Sequence, residues 1–149
     1  MSRRVVITGL GTSTSVGSTV GEFWAASLAG RTSVAPIPEA WRAYFRPNSP
    51  VWAPLPADVA GDEIVNEIER TKLDRVAVLA MRTAAEALAN AGLACERSDT
   101  KYNRFAIRGI APDRVGVCIG TGVGGVTSLL SNAAHHMLSK HVPRLQELA

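Results

Sequence analysis

The sequence predicts an α/β fold, a mainly parallel sheet with helices on both faces, and three observations predict it. A β-branched run, Arg4-Val5-Val6-Ile7-Thr8, is closed by Gly9-Leu10-Gly11. A second run, Arg114-Val115-Gly116-Val117-Cys118-Ile119, is closed by Gly120-Thr121-Gly122-Val123-Gly124-Gly125. Each is followed by a segment of helical character, so the order strand, glycine turn, helix occurs twice. Continuous apolar runs of this kind, without alternation, belong to strands covered on both faces.

The elements follow in order. Thr19 stands three residues before Glu22, the spacing of a capping box, so a helix starts near Val20. It is expected to bury Phe23, Trp24 and Leu28 and to stop at Gly30. Residues 36–61 form a loop rich in proline and aromatics: Pro36, Pro38, Pro47, Pro50, Pro54 and Pro56 fall there with Trp41, Tyr44, Phe45 and Trp52. The prolines exclude most regular structure, and the aromatics predict a loop that packs on something. Asp62 to Arg70 reads as a short lead-in helix. The main helix runs from about Lys72 to Asn90, with Leu73, Val76, Ala80, Ala84, Ala87, Leu88 and Ala91 on one face and Arg75, Arg82 and Glu86 towards the other. Gly92 is its stop signal. Its alanines let another backbone approach closely, as in a helix held between layers. Cys95 to Pro112 reads as irregular, and a last helix spans about Val126 to Lys140.

At 149 residues, 46% hydrophobic and 19% charged, residues 1–149 amount to one ordinary domain. The net charge of +3 and pI near 9.2 are mild. The basic residues (Arg3, Arg31, Arg42, Arg75, Arg104, Arg114, Lys140) are scattered without interleaved aromatics, so nucleic acid is not an expected partner. The apolar run after Met1-Ser2-Arg3-Arg4 is too short for a signal peptide. No stretch approaches the roughly 18 apolar residues of a membrane helix, and two cysteines are too few for a disulfide scaffold. A cytoplasmic protein with no membrane partner is the expectation.

Gly120, Gly122 and Gly125 match G-x-G-x-x-G after a strand and before a helix, the setting in which that pattern cradles a dinucleotide. The dinucleotide reading further needs a strand ending in an acid about 20 residues on; Glu147 has the spacing, but Val142-Pro143-Arg144-Leu145 is a poor strand. The first turn has Thr14 where a third glycine belongs, and no G-K-[ST] exists for a P-loop. The plainer alternative is that the glycines allow tight turns and close backbone approach. Cys118, between Val117 and Ile119, reads as a buried core thiol, and Cys95, beside Glu96, as a bystander. His135 and His136 point to different faces of any helix, so with His141 they do not form a zinc site. No cofactor, metal or Ser-His-Asp arrangement is assigned.

Four blocks together resemble the N-terminal part of a β-ketoacyl-acyl-carrier-protein synthase, a condensing enzyme of the thiolase-like fold. They are Arg4–Gly11; Phe23-Trp24-Ala25-Ala26-Ser27-Leu28-Ala29-Gly30-Arg31; Leu73-Asp74-Arg75 opening the Ala-rich helix to Ala89-Asn90-Ala91-Gly92-Leu93; and Arg114–Gly125. The resemblance covers about residues 3–135 and is weakest in the Pro-rich loop and from Arg97 to Ile110. It departs from the family at Thr12, Ser13 and Ser15, which replace apolar residues and a proline. It implies a decarboxylative Claisen condensation of an acyl thioester with malonyl-acyl carrier protein, in fatty-acid or polyketide synthesis. It also implies acyl carrier protein as a partner and a homodimer or a heterodimer with a related subunit.

In the family the nucleophilic cysteine and both catalytic histidines lie downstream of the glycine block, beyond Ala149. Residues 1–149 are therefore expected to be an incomplete part of the synthase, inactive alone. Ala94-Cys95 echoes the family's nucleophile dipeptide but precedes the glycine block, so that role is not carried over. Val123 and Gly124 match the turn that lines and gates the acyl pocket, while Gly9, Gly11, Gly120, Gly122 and Gly125 shape the two turns. The alternatives are a non-catalytic partner like the chain-length-factor subunits and, less favoured, a dinucleotide-binding protein. An isolated thiolase-like portion is also expected to expose apolar surface and to aggregate or dimerise.

Overall fold

Helix ends in this chain are governed by nearby side chains and glycines. In the computed structural model, residues 4–44, 48–56, 64–65, 71–97 and 105–139 are described. They belong to two units, Gly11–Val59 and Met1–Leu10 with Ala60–Ala149.

In the first unit, helix α1 spans Val20–Leu28. The Thr19 hydroxyl accepts from the Glu22 amide at 3.2 Å, and the Glu22 carboxylate accepts from the Ser18 amide at 2.7 Å. The second bond falls one residue ahead of the usual capping-box amide. At the other end Gly30 turns to φ +63°. The Arg31 amide then reaches the Ala26 carbonyl and the Gly30 amide reaches that of Ser27, a Schellman closure. The predicted burial is corrected here: Phe23, Trp24 and Leu28 are exposed, and Ala26 is the buried residue of α1.

The proline-rich stretch is more ordered than its composition suggests. Strand β1 (Ala35–Pro36) pairs antiparallel with β2 (Val51–Trp52), and the single-turn helix α2 (Glu39–Arg42) lies between them in sequence. Prolines tolerate this because the ladder is two residues long and Pro38 precedes the helix, where no donor is needed. Two of the aromatics pack on each other: Trp41 and Trp52 meet edge to face, with centroids 4.7 Å apart and planes at 65°, whereas Tyr44 is exposed. Ile37 is buried in this unit.

In the second unit, helix α3 spans Arg75–Asn90 and ends as α1 does, with Gly92 at φ +72° and the Leu93 amide bonded to the Leu88 carbonyl. Its predicted inward face is not a clean stripe. Val78 is buried, whereas Val76 and Ala84 are exposed and most other positions are half-buried. The N-terminal segment docks at the end of this helix. The Leu10 amide donates to Asn90 Oδ1 at 3.0 Å, and a side chain on Gly9 would collide with the Ala87 carbonyl and with Ala91. Close backbone approach, the plainer reading of the glycines, therefore holds at Gly9.

Residues 95–107, expected to be irregular, include a short hairpin ladder. Strand β3 (Cys95–Arg97) pairs antiparallel with β4 (Phe105–Ile107), and Arg108 forms an ion pair with Glu96. A 3₁₀ turn (Pro112–Arg114) follows, and helix α4 spans Val126–Ser139. The lead-in helix expected at residues 62–70 falls almost wholly outside the described residues.

The two β-branched runs differ from expectation. Among the described residues neither joins a ladder, and the sheets present are the two antiparallel pairs. Val5 is 94% and Val117 81% exposed, and Val6, Ile7 and Ile119 are exposed too. Composition favours extended backbone, but a buried parallel strand needs neighbours along its edges and layers over its faces. Neither surrounds these runs within the described residues. Sedimentation of the 149-residue chain is expected to show concentration-dependent association together with binding of an apolar dye. A dye-silent monomer with a sharp melting transition would contradict that expectation.

Candidate functional site

The second glycine block meets the start of α3 through one carboxylate. Asp74 is the N-cap of α3: its backbone is extended (φ −68°, ψ 152°), and Oδ1 accepts from the Val76 amide at 3.0 Å. Its other oxygen reaches α4. Oδ2 accepts from the Ser128 hydroxyl at 2.6 Å and lies 3.3 Å from the Ser128 amide, in the first turn of α4. One side chain thus caps two helix N-termini, through a bond that joins residues 54 apart in sequence.

The glycine turn fits around this carboxylate. A Cβ on Gly125 would lie 3.1 Å from Asp74 Cγ and Oδ2 and 3.2 Å from its Cβ, so the missing side chain lets the turn close on Asp74. Gly124 has φ +72°, the Val126 amide bonds the Gly124 carbonyl at 2.6 Å in a tight turn, and the helix opens with the Leu129 amide on the Gly125 carbonyl at 2.9 Å. Gly120 and Gly122 have open space where a Cβ would stand, and Gly11 is half-buried. Val123 is 82% exposed, leaving its isopropyl group available to an apolar neighbour. The structure thus groups Val123, Gly124 and Gly125 at the start of α4, while Gly9 serves the opposite end of α3.

Asp74 carries the electrostatics of the site. The Ser128 hydroxyl, followed by the Val76 amide, holds its carboxyl below the ordinary value of 3.8; partial burial opposes the shift, and the Ser128 amide adds to it. Neither α3 nor α4 has an acidic residue in its own first turn, so Asp74 supplies the negative charge for both helix dipoles. Asp74 is the residue that sequence reasoning passed over as a site member. Its N-cap role is signalled by an Asp just ahead of a helical pattern. Its bond to Ser128 has no local signal.

The other candidates stay apart from this cluster. Cys95 is exposed on β3 opposite Ile107. Cys118 is exposed, which corrects its reading as a buried core thiol: the run that carries it has no covering layer within the described residues. His135 and His136 lie on α4, while His141 and Glu147 fall outside the described residues. Among the described residues, no three His, Cys, Asp or Glu side chains converge as a metal site, and no helix is long and apolar enough to cross a membrane. An open groove lined by Gly109, Ile110, Ala111 and Arg114 contains none of the candidates.

The carboxylate also bears on the dinucleotide alternative. A pyrophosphate in a G-x-G-x-x-G turn sits on the amides at the following helix N-terminus. Asp74 lies against the start of α4 through Ser128, and its negative charge disfavours a second anion there.

Comparison with known proteins defines first the fold and then the family. The chain superposes on a crystal structure of a β-ketoacyl synthase from Burkholderia phymatum STM815 with a TM-score of 0.71 and 29% identity, covering 98% of this chain and 33% of that one. That is the α/β, thiolase-like fold. The family model for the β-ketoacyl synthase N-terminal domain matches residues 2–147, so the chain belongs to the β-ketoacyl synthase family. It is 33% identical over 132 residues to the granaticin polyketide putative beta-ketoacyl synthase 1 of Streptomyces violaceoruber, covering 87% of this chain and 27% of that protein. It is 30% identical over 142 residues to the 3-oxoacyl-[acyl-carrier-protein] synthase 2 of Vibrio harveyi, covering 95% and 30%. The chain therefore spans less than a third of the length of these two relatives.

Two measurements probe the site. Because the folded carboxyl binds its proton less readily than the unfolded one, its contribution to stability is complete above the ordinary aspartate range and declines as pH falls through the lowered folded value. Denaturant unfolding followed from about pH 6 down to about pH 2.5 should show this decline, and Asp74→Asn should flatten it. An unchanged pH slope in the variant would remove Asp74 from the account. Calorimetric titration with NAD is expected to show no binding; saturable binding would restore the dinucleotide alternative.

Proposed function

We propose that this chain is the N-terminal part of a β-ketoacyl-acyl-carrier-protein synthase, an acyltransferase of fatty-acid or polyketide synthesis. The observation that carries the proposal is the family match across residues 2–147. In the whole enzyme an acyl group is held as a thioester on a cysteine. The malonyl C–CO₂⁻ bond breaks and releases CO₂, the resulting carbanion attacks the thioester carbonyl, and the thiolate departs as the new carbon–carbon bond forms. Acyl carrier protein delivers the malonyl unit, and the enzyme works as a dimer, with itself or with a related subunit, in the cytoplasm.

Within this scheme residues 1–149 supply scaffold and pocket wall, and the nucleophile and its histidines come from outside them. The exposed Val123 and the half-buried Gly124 form the wall that meets the acyl chain. Neither cysteine is placed for the nucleophilic role: Cys95 lies in a hairpin strand and Cys118 in an extended run, and neither stands at a helix N-terminus, a setting that activates a thiol.

Two experiments test this reading. Intact-mass analysis after incubation with an acyl thioester of acyl carrier protein should leave the 149-residue chain unmodified; a gain equal to the acyl group on Cys95 or Cys118 would overturn the scaffold assignment. The coding sequence read past codon 149 should continue in frame to a cysteine at a strand-to-helix turn and two later histidines. A stop codon there, or a continuation with the cysteine replaced, would instead favour a non-catalytic partner.

A further inference from the structure

The turn that carries Val123 runs into α4 beside Asp74. Asp74 Oδ2 takes the Ser128 hydroxyl at 2.6 Å and Oδ1 takes the Val76 amide at 3.0 Å, while a side chain on Gly125 would make a tight contact with the carboxylate, its Cβ 3.1 Å from Cγ and Oδ2. The three contacts belong to one rigid carboxylate group, so they cannot be adjusted independently. Ser128 and Gly125 are both half-buried, which limits competition from water at the contact.

We infer that Asp74 is a positioning residue for the Gly120–Gly125 turn, acting through Ser128 to tie that turn and the start of α4 to the start of α3. A shift of either helix start then moves the platform from which Val123 projects. The consequence for acyl chains rests on the pocket-wall reading above, whereas the tie itself rests on the hydrogen bonds. Ser128 adds something a simple cap does not need. The α3 cap is complete through Oδ1 alone, so the Ser128 hydroxyl has the separate effect of joining the two helices.

Hydrogen exchange of the 149-residue chain tests the tie. Ser128→Ala removes the hydroxyl and leaves the α3 cap in place. It should speed exchange across residues 120–129 by about fivefold, the loss expected for one capping contact, and leave residues 75–79 unchanged. Ser128→Thr should restore protection, which a general loosening of the fold would not allow. Asp74→Ala should speed exchange in both segments; if that variant does not fold, the serine pair decides the question alone. Unchanged exchange in Ser128→Ala, or no recovery in Ser128→Thr, overturns the inference. Binding of cis-parinaric acid, a fluorescent long-chain fatty acid, tests the pocket wall separately in Val123→Ala and Ser128→Ala. If exchange responds as expected but both variants bind the probe as the parent does, the tie stands and the pocket wall falls. If exchange does not respond, the tie falls whatever the probe does.

Discussion

A single carboxylate is shared between two helix starts. Each N-terminus leaves amides without intrahelical partners and carries a partial positive charge, and neither α3 nor α4 provides an acid in its own first turn. Asp74 meets both needs, one oxygen to each helix. An N-cap contact is worth about 1 kcal/mol, and partial exposure keeps the electrostatic part modest through solvent screening. Its importance is geometric: it determines where the glycine turn stands relative to α3.

The opposite end of α3 is anchored by a different device with the same economy. There the Asn90 side chain accepts the Leu10 amide, and the absence of a side chain on Gly9 lets the N-terminal segment lie against Ala87 and Ala91. Both β-branched runs therefore end in glycine turns seated on α3, one at each end. The runs themselves remain extended and exposed within the described residues. The chain spans less than a third of the length of the two relatives compared.

Helix boundaries were readable in the sequence to within a few residues: Thr19 with Glu22, Gly30 and Gly92 act where they were expected to act. The ladder of Cys95–Arg97 with Phe105–Ile107 was not readable, because three-residue strands are too short to show periodicity. Burial was the weakest inference. Phe23, Trp24, Leu28 and Cys118 are apolar or softly polar enough to enter a core, yet each is exposed, since burial depends on what covers a residue and not on its own chemistry. Of the candidate site, Val123, Gly124 and Gly125 were visible as a glycine block in family context. Asp74 was visible only as the opening of a helix.

The sequence by itself determined the helix starts and stops and the kinship with β-ketoacyl synthases. Capping groups act on amides within about four residues of themselves, and family blocks keep their order along the chain. The tertiary structure alone decided which hydroxyl meets the second oxygen of Asp74, which backbone lies against Gly9, and which apolar runs stay uncovered. An aspartate's chemistry gives it the capacity to accept several hydrogen bonds; a partner 54 residues away is selected by the path of the chain, which no local pattern encodes.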